Sequence, residues 1–225
     1  MNKFLRFILL AILFAFSLTA GPLPAFAAVP GTGAQASGVA LSVSKRPAAD
    51  GDLPSLSTFI GQVRNSQANL VTGLYITDLF AYPVVQQPSG QPAYVSKTDD
   101  TITQFGLATA YGSLGFLAHN TLAGAQFSSI KVGQLIAVVY GDGHYTLYEV
   151  SQVRRFQATR PASPYSSFVD LSTNATLTAS DLFYQTYGVK NTLVLQTCIT
   201  SNGLDTWGRL FIIATPHVFE MDGDL

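Results

Sequence analysis

An all-β domain with few short helices, built as a barrel or a sandwich, is the fold class this sequence predicts. Three observations predict it. Short runs rich in β-branched and aromatic residues recur along the chain, each bounded by Gly, Pro, Asp or Asn. One run, residues 135–140, is continuously apolar, as a strand buried on both faces would be, and leads into the turn Gly141-Asp142-Gly143. Helical periodicity is weak throughout.

The N-terminus comes first. Lys3 and Arg6 precede an apolar run over residues 7–20, and Gly21, Pro22 and Pro24 break it ahead of Ala25-Phe26-Ala27. This is the order of a secretory signal peptide cleaved after Ala27, so the chain is expected outside the cytoplasm, at the cell surface or secreted. Left uncleaved, residues 1–27 would associate the protein with a membrane instead. Residues 28–57 are rich in Ala, Gly, Ser and Pro and read as a linker, leaving one domain over 58–225.

Within that domain, residues 70–76, 80–85 and 113–119 are strand candidates, and 135–140 pairs with 144–156 as a hairpin. Two further runs, 192–198 and 207–215, are separated by a polar connection with Asn202 and Gly203 at its bend. A helix is expected after Thr178, which stands three residues before Asp181 as an N-cap, and a short helical turn near 127–132. Residues 158–191 carry Pro161, Pro164 and many Ser and Thr, and read as a long irregular loop. Such a loop is either a binding lid or a surface insertion.

Composition narrows the function. Charged residues are 11% of the 225, against about 25% in ordinary proteins, and the net charge is -1. Nucleic acid is therefore not an expected partner, because no basic surface is available to hold it. With 48% apolar residues the chain buries enough surface to fold. A single cysteine, Cys198, excludes an internal disulfide framework and a Cys-rich zinc site. No acidic run has the spacing of a calcium loop, and neither a metal nor a cofactor is expected.

Cys198 ends the run Thr192-Leu193-Val194-Leu195-Gln196-Thr197. Alternation in a strand puts it on the face of Val194 and Gln196, opposite Leu193 and Leu195. The reactive form of cysteine is the thiolate, a few per cent of an ordinary thiol at neutral pH, so a nucleophilic role calls for a cationic neighbour. Among three histidines, His144 sits beside a hairpin turn and His217 near the C-terminus. His119 closes the apolar run Leu114-Gly115-Phe116-Leu117-Ala118 and leads as the acid–base candidate. Arg209 lies just inside the following strand, ahead of Leu210-Phe211-Ile212-Ile213-Ala214, where a permanent charge needs an acceptor or an anionic ligand. An exposed arginine on an edge strand is the alternative.

The block ending in Gln196-Thr197-Cys198, followed by Arg209 on the next strand, resembles the sortase signature of Thr-Leu-x-Thr-Cys and a downstream arginine. Ala118-His119 and Lys131-Val132-Gly133-Gln134-Leu135-Ile136 are similar to the family's histidine strand and the entry to the strand after it. Ala118, Asn120 and Gln134 depart from the residues common there. The resemblance implies a closed β-barrel and a cysteine transpeptidase in which Cys198 forms an acyl thioester, His119 moves protons and Arg209 steadies the substrate and the oxyanion. Thr197 and Asn120 would bind substrate, and residues 158–191 would help select a sorting motif of the LPXTG kind. It also implies partners: surface proteins with a C-terminal sorting motif, and an acceptor amine on the cell wall or a pilin. A catalytically silent peptide-binding barrel and a peptidase with water as acceptor are the competing expectations.

Overall fold

The computed structural model describes residues 53–163 and 165–218. The signal segment, its cleavage point and the linker up to residue 52 lie outside the described residues. The end of the expected linker is helical: α1 (Leu56–Val63) starts where the Ser55 hydroxyl accepts the Thr58 N–H at 3.2 Å, a side-chain cap that the Ala/Gly-rich reading overlooked.

Ten strands follow in chain order: β1 (Val71–Ile76), β2 (Phe80–Gln86), β3 (Ile102–Phe105), β4 (Leu114–Leu117), β5 (Leu135–Tyr140), β6 (Tyr145–Ala158), β7 (Phe168–Asp170), β8 (Thr176–Leu177), β9 (Leu193–Ser201) and β10 (Leu204–Pro216). They form one sheet in the order β10-β9-β4-β3-β2-β1-β5-β6-β7-β8, and β10 also pairs with β6. That extra pairing closes eight strands into a mixed barrel and leaves β7 and β8 as a flap beyond β6. The expected all-β closed barrel with few short helices is the observed fold. Its parallel contacts are β2 with β3 and β4 with β9.

Local chemistry explains the elements. On β1, Gly73 leaves space for the ring of Phe59 from α1, which a Cβ there would meet at 2.6 Å. β5 is buried along four successive positions, as its apolar run requires. The β9–β10 connection is tighter than expected: both strands run on to a two-residue bend, with Asn202 and Gly203 at φ 51° and 74°. Left-handed φ at both central positions is the geometry that joins twisted antiparallel strands.

Residues 158–191 are not the irregular loop that composition suggested. They contain β7, β8 and α3 (Ala179–Thr186), which starts at the expected Thr178: its hydroxyl accepts the Asp181 N–H while the Asp181 carboxylate bonds back to Thr178. β3 and α2 (Gly106–Ala110) also escaped the sequence reading. Each spans one turn or a few residues, too short for a periodic pattern to register. The turn expected near 127–132 is a 3₁₀ helix over Ala123–Ser129.

The strands bury two faces. Leu193, Leu195, Phe116, Leu210 and Ile212 point into the barrel with Leu74, Phe80 and Ile136. Val194, Leu117, Phe211 and Ile213 point outward under a cover of Phe168, Leu182, Phe183 and Tyr187 from β7, α3 and the residue after it. The candidate site sits at one end of this covered outer face.

Candidate active site

The alternation of β9 holds as the sequence predicts. Leu193 and Leu195 face the barrel interior, while Val194 joins the outer cluster with Gln196 and Cys198 following on its face. Across the antiparallel ladder, Cys198 pairs directly with Arg209, and Arg209 pairs in turn with Phe156 of β6. Directly opposed residues have Cβ atoms about 5 Å apart on a common face. The sequence-predicted nucleophile and arginine are therefore brought together.

This pairing depends on a bulge. Leu204 opposes Ser201 at the hairpin end, and an uninterrupted ladder from there would set Trp207 against Cys198. The ladder instead resumes at Gly208 opposite Ile199, so Asp205, Thr206 and Trp207 together face Thr200. The register slides by two residues, which preserves the face and substitutes Arg209 for Trp207. Gly208 is required at the resumption point, because a Cβ there would collide with the Phe156 carbonyl.

Arg209 is 2% exposed, so the surface-arginine alternative does not describe it. Its guanidinium donates to the Thr206 and Gly208 carbonyls at 3.1 and 2.8 Å and lies 5.8 Å from the centre of the Phe168 ring. The bulge thus supplies part of its cradle. Cys198 is 3% exposed. Burial pushes its thiol up to about 11, the Arg209 charge pulling it down and the Asp205 carboxylate pushing it further up. Desolvation therefore outweighs the cation in the substrate-free site.

His119 follows β4. The parallel ladder from Leu114↔Leu193 to Leu117↔Gln196 is continued by the Ala118 N–H donating to the Gln196 carbonyl at 3.2 Å. His119 itself lies two residues past the end of β4, beyond the ladder, so the strand register joins Cys198 and Arg209 and leaves the place of His119 beside them an expectation. His119 is half-buried. Burial lowers its pKa, the Val95 carbonyl draws it back up, and the Lys97 charge lowers it again.

Thr197 and Asn120, expected to meet substrate, spend their donors within the protein. Thr197 is buried on the barrel side, and its hydroxyl donates to the Ala118 carbonyl at 2.9 Å, locking β9 to the exit of β4. A Cβ on Gly124 would collide with that hydroxyl, so the 3₁₀ helix packs against it only through glycine. The Asn120 amide donates to the Thr200 hydroxyl at 2.7 Å and to the Asp205 carbonyl at 3.2 Å. Both residues hold the strands that carry the site.

Sequence reasoning missed Asp205, which sits in a polar connection with no motif around it, and Phe168, which comes from the region read as loop. It also missed the buried pair in which the Tyr187 hydroxyl donates to the Gln196 side-chain oxygen at 2.8 Å. The other histidines lie elsewhere, as expected: His144 is exposed and bonds Asp142 at 2.6 Å, and His217 bonds Glu149 at 3.1 Å. Among the described residues no group of three or more His, Cys, Asp or Glu side chains could hold a metal ion.

A cavity of about 260 Å³ opens beside Cys198, bordered by Asn120, Thr200, Ser128 and Arg155 with Ile199 and Leu210 as its apolar wall. It lies where β4 has ended and the edge of β9 is no longer covered by a strand.

No family model and no curated protein matches the chain. Solved structures do. Sortase A of Listeria monocytogenes is 12% identical with a TM-score of 0.42, covering 66% of this chain and 88% of that one. Sortase C1 of Streptococcus agalactiae is 16% identical with a TM-score of 0.42, covering 71% and 74%. The chain is likewise similar to a pilus-related sortase C of Group B Streptococcus, at 10% identity and a TM-score of 0.43 over 71% and 72% of the two chains.

Proposed function

We propose that this chain is a sortase-like cysteine transpeptidase acting outside the cytoplasm. Cys198 cleaves a sorting-motif peptide through an acyl thioester, and an amine on the cell wall or a pilin resolves it. The observation that carries this reading is the register that sets Cys198 directly against the buried Arg209. A buried guanidinium facing a buried thiol carries a desolvation cost that apolar residues filling the same space would avoid, and that cost supports a role in chemistry beyond its bonds to the bulge.

The chemistry follows from the electrostatics. With the thiol at about 11, only about one molecule in ten thousand is ionised at pH 7, and a depressed imidazole is neutral there too. The resting pair is thiol and imidazole rather than thiolate and imidazolium. His119 then takes the thiol proton as Sγ attacks the peptide carbonyl, and returns it to the departing amine. The negative charge developing on the carbonyl oxygen meets Arg209, whose charge is fixed and desolvated, the setting in which such stabilisation is largest. At 3% exposure the thiol is reached only when the side chains around it give way to the peptide.

Incubation with a library of sorting-motif peptides, read by intact mass, tests this. The expected result is an acyl adduct on the wild-type chain that Cys198→Ala abolishes. Absence of any adduct, with a thiol that also ignores small electrophiles, would leave the second reading, a silent peptide-binding barrel. The raised thiol pKa and near-complete burial of Cys198 are what favour that second reading.

A further inference from the structure

One side chain on the face of Cys198 has half its hydrogen-bonding capacity unused. Gln196 stands two residues before the cysteine on the outer side of β9, and none of its surface is exposed. In its row it is flanked by Leu117 of β4 and Phe211 of β10, both apolar and fully buried. Its side-chain oxygen accepts from the Tyr187 hydroxyl at 2.8 Å, whereas its amide nitrogen has no hydrogen-bond partner among the described residues. The bond to Tyr187 ties the end of α3 to β9, and an acceptor is all that such a tie requires. It leaves the nitrogen unexplained. That nitrogen brings two N–H groups into an apolar row with nothing to receive them, a desolvation cost that leucine or methionine at the same position would avoid.

An unmet donor at full burial is satisfied when a ligand brings the acceptor, and the strand geometry says which part of which ligand. A peptide carbonyl attacked by Cys198 and stabilised by Arg209 lies on the outer face, where the two residues oppose each other. From there β9 runs two ways. Toward Thr200 it reaches the exposed hairpin end, open to the segment that leaves. Toward Gln196 it runs under Tyr187, a closed space that suits the segment retained as the acyl group. Residues two apart along a strand are separated by about 6.8 Å, the reach of two extended peptide residues. The acyl segment therefore meets Gln196 about two residues upstream of the attacked carbonyl.

Resting on the transpeptidase reading above, we infer that Gln196 is a specificity-determining residue for the donor peptide, selecting a sorting motif with an uncharged hydrogen-bonding side chain, a carboxamide above all, about two residues upstream of the attacked carbonyl. The carboxamide oxygen accepts from Nε2 of Gln196. Its own N–H donates to the lone pair of Oε1 that Tyr187 leaves open. An aliphatic side chain at that position leaves the Gln196 nitrogen unmet, and a carboxylate loses its hydration in an apolar row. The same yielding of the cover that admits a peptide to Cys198 opens Gln196, its neighbour on the face.

The test uses the full chain and pairs of sorting-motif donor peptides in which each residue of the acyl part is replaced in turn by Asn or by Leu, side chains of nearly equal size. Each pair competes at equal concentration, and intact mass at early times gives the ratio of the two acyl adducts on Cys198. At one position, about two residues upstream, Asn is expected to outcompete Leu about tenfold, the scale of one buried neutral hydrogen bond. Gln196→Met keeps the volume without the amide and is expected to reverse that preference. Tyr187→Phe frees the amide to turn and is expected to lower the ratio part of the way. A loss of folded protein affects both peptides of a pair alike, so a merely structural role for Gln196 would not move the ratio. A wild-type ratio at or below one at every position, or a ratio that either substitution leaves unchanged while adducts still form on Cys198, overturns this inference alone. Failure of the wild-type chain to form an adduct with any peptide overturns the transpeptidase reading and the inference with it.

Discussion

The two faces of β9 and β10 differ in what they bury. Toward the barrel, Leu193, Leu195, Leu210 and Ile212 join one large apolar cluster. On the opposite face the same strands bury Gln196, Cys198 and Arg209 among aromatic side chains from the flap and α3. One face is an ordinary core, stabilised in proportion to the apolar area it removes from water. The other pays for buried polar groups, including a Gln196 amide nitrogen with no hydrogen-bond partner among the described residues. A fold under no other constraint would have made both faces alike, so the contrast separates what holds the barrel from what the barrel carries.

Four measurements break or sharpen that contrast. The largest effect is expected from pH on the thiol itself. With Cys198 at about 11, alkylation of the native protein by iodoacetamide should rise about tenfold per unit from pH 7 to pH 10. A plateau near pH 8 would mean that the outer face does not desolvate the thiol. Next is the inner face, where Leu195→Ala should cost about 3–5 kcal/mol in urea unfolding, with remaining folded protein alkylated as before.

Arg209→Met is the complementary change. It fills similar space without the charge, and is expected to lower acyl transfer about 100-fold, roughly 3 kcal/mol of transition-state stabilisation, with a smaller loss in unfolding from the Thr206 and Gly208 carbonyls left without this donor. Alkylation at fixed pH should also slow, because the cation that favours the thiolate is gone. Equal losses in folding and transfer would remove the distinction between the faces.

The smallest effect concerns the cover. Asp170 is 4% exposed on its side chain and bonds Arg154 at 2.9 Å, tying β7 to β6. Burial alone would raise its pKa, but hydrogen bonds from the Ser172 hydroxyl and Arg154 bring it down to about 2. A carboxyl whose folded pKa lies below its ordinary 3.8 stabilises fully above that value and loses the contribution as pH falls toward 2. About 2 kcal/mol should disappear over that window. Hydrogen exchange should therefore show residues 165–187 opening in acid before the inner strands do, and Asp170→Asn should flatten the effect.

Much of the site was legible residue by residue. The face of Cys198, the end-of-strand position of His119 and the isolation of Arg209 all came from alternation and composition, because these are local properties of a strand. Thr197 and Asn120 were expected to meet substrate on the family resemblance alone. What they do is set by atoms far along the chain: the Ala118 carbonyl for one, Thr200 and Asp205 for the other. The flap was illegible for a different reason. β7 and β8 span three and two residues and alternate with exposed turns, so their strand character comes from the pairing of β7 with β6 and of β8 with β7 rather than from their own sequence.

The sequence by itself determined an all-β chain with a capped helix after Thr178, a bend at Asn202-Gly203 and a lone cysteine on the Val194–Gln196 face. Each of these follows from side-chain alternation or from the backbone preferences of a few adjacent residues. The tertiary structure alone decided that Cys198 meets Arg209 and not Trp207. A turn at residues 202–203 fixes where a ladder begins, but the bulge over 205–207 is selected by contacts that no local pattern contains: the Asn120 amide on the Asp205 carbonyl, the Arg209 guanidinium on Thr206, and the fit of Gly208 against Phe156.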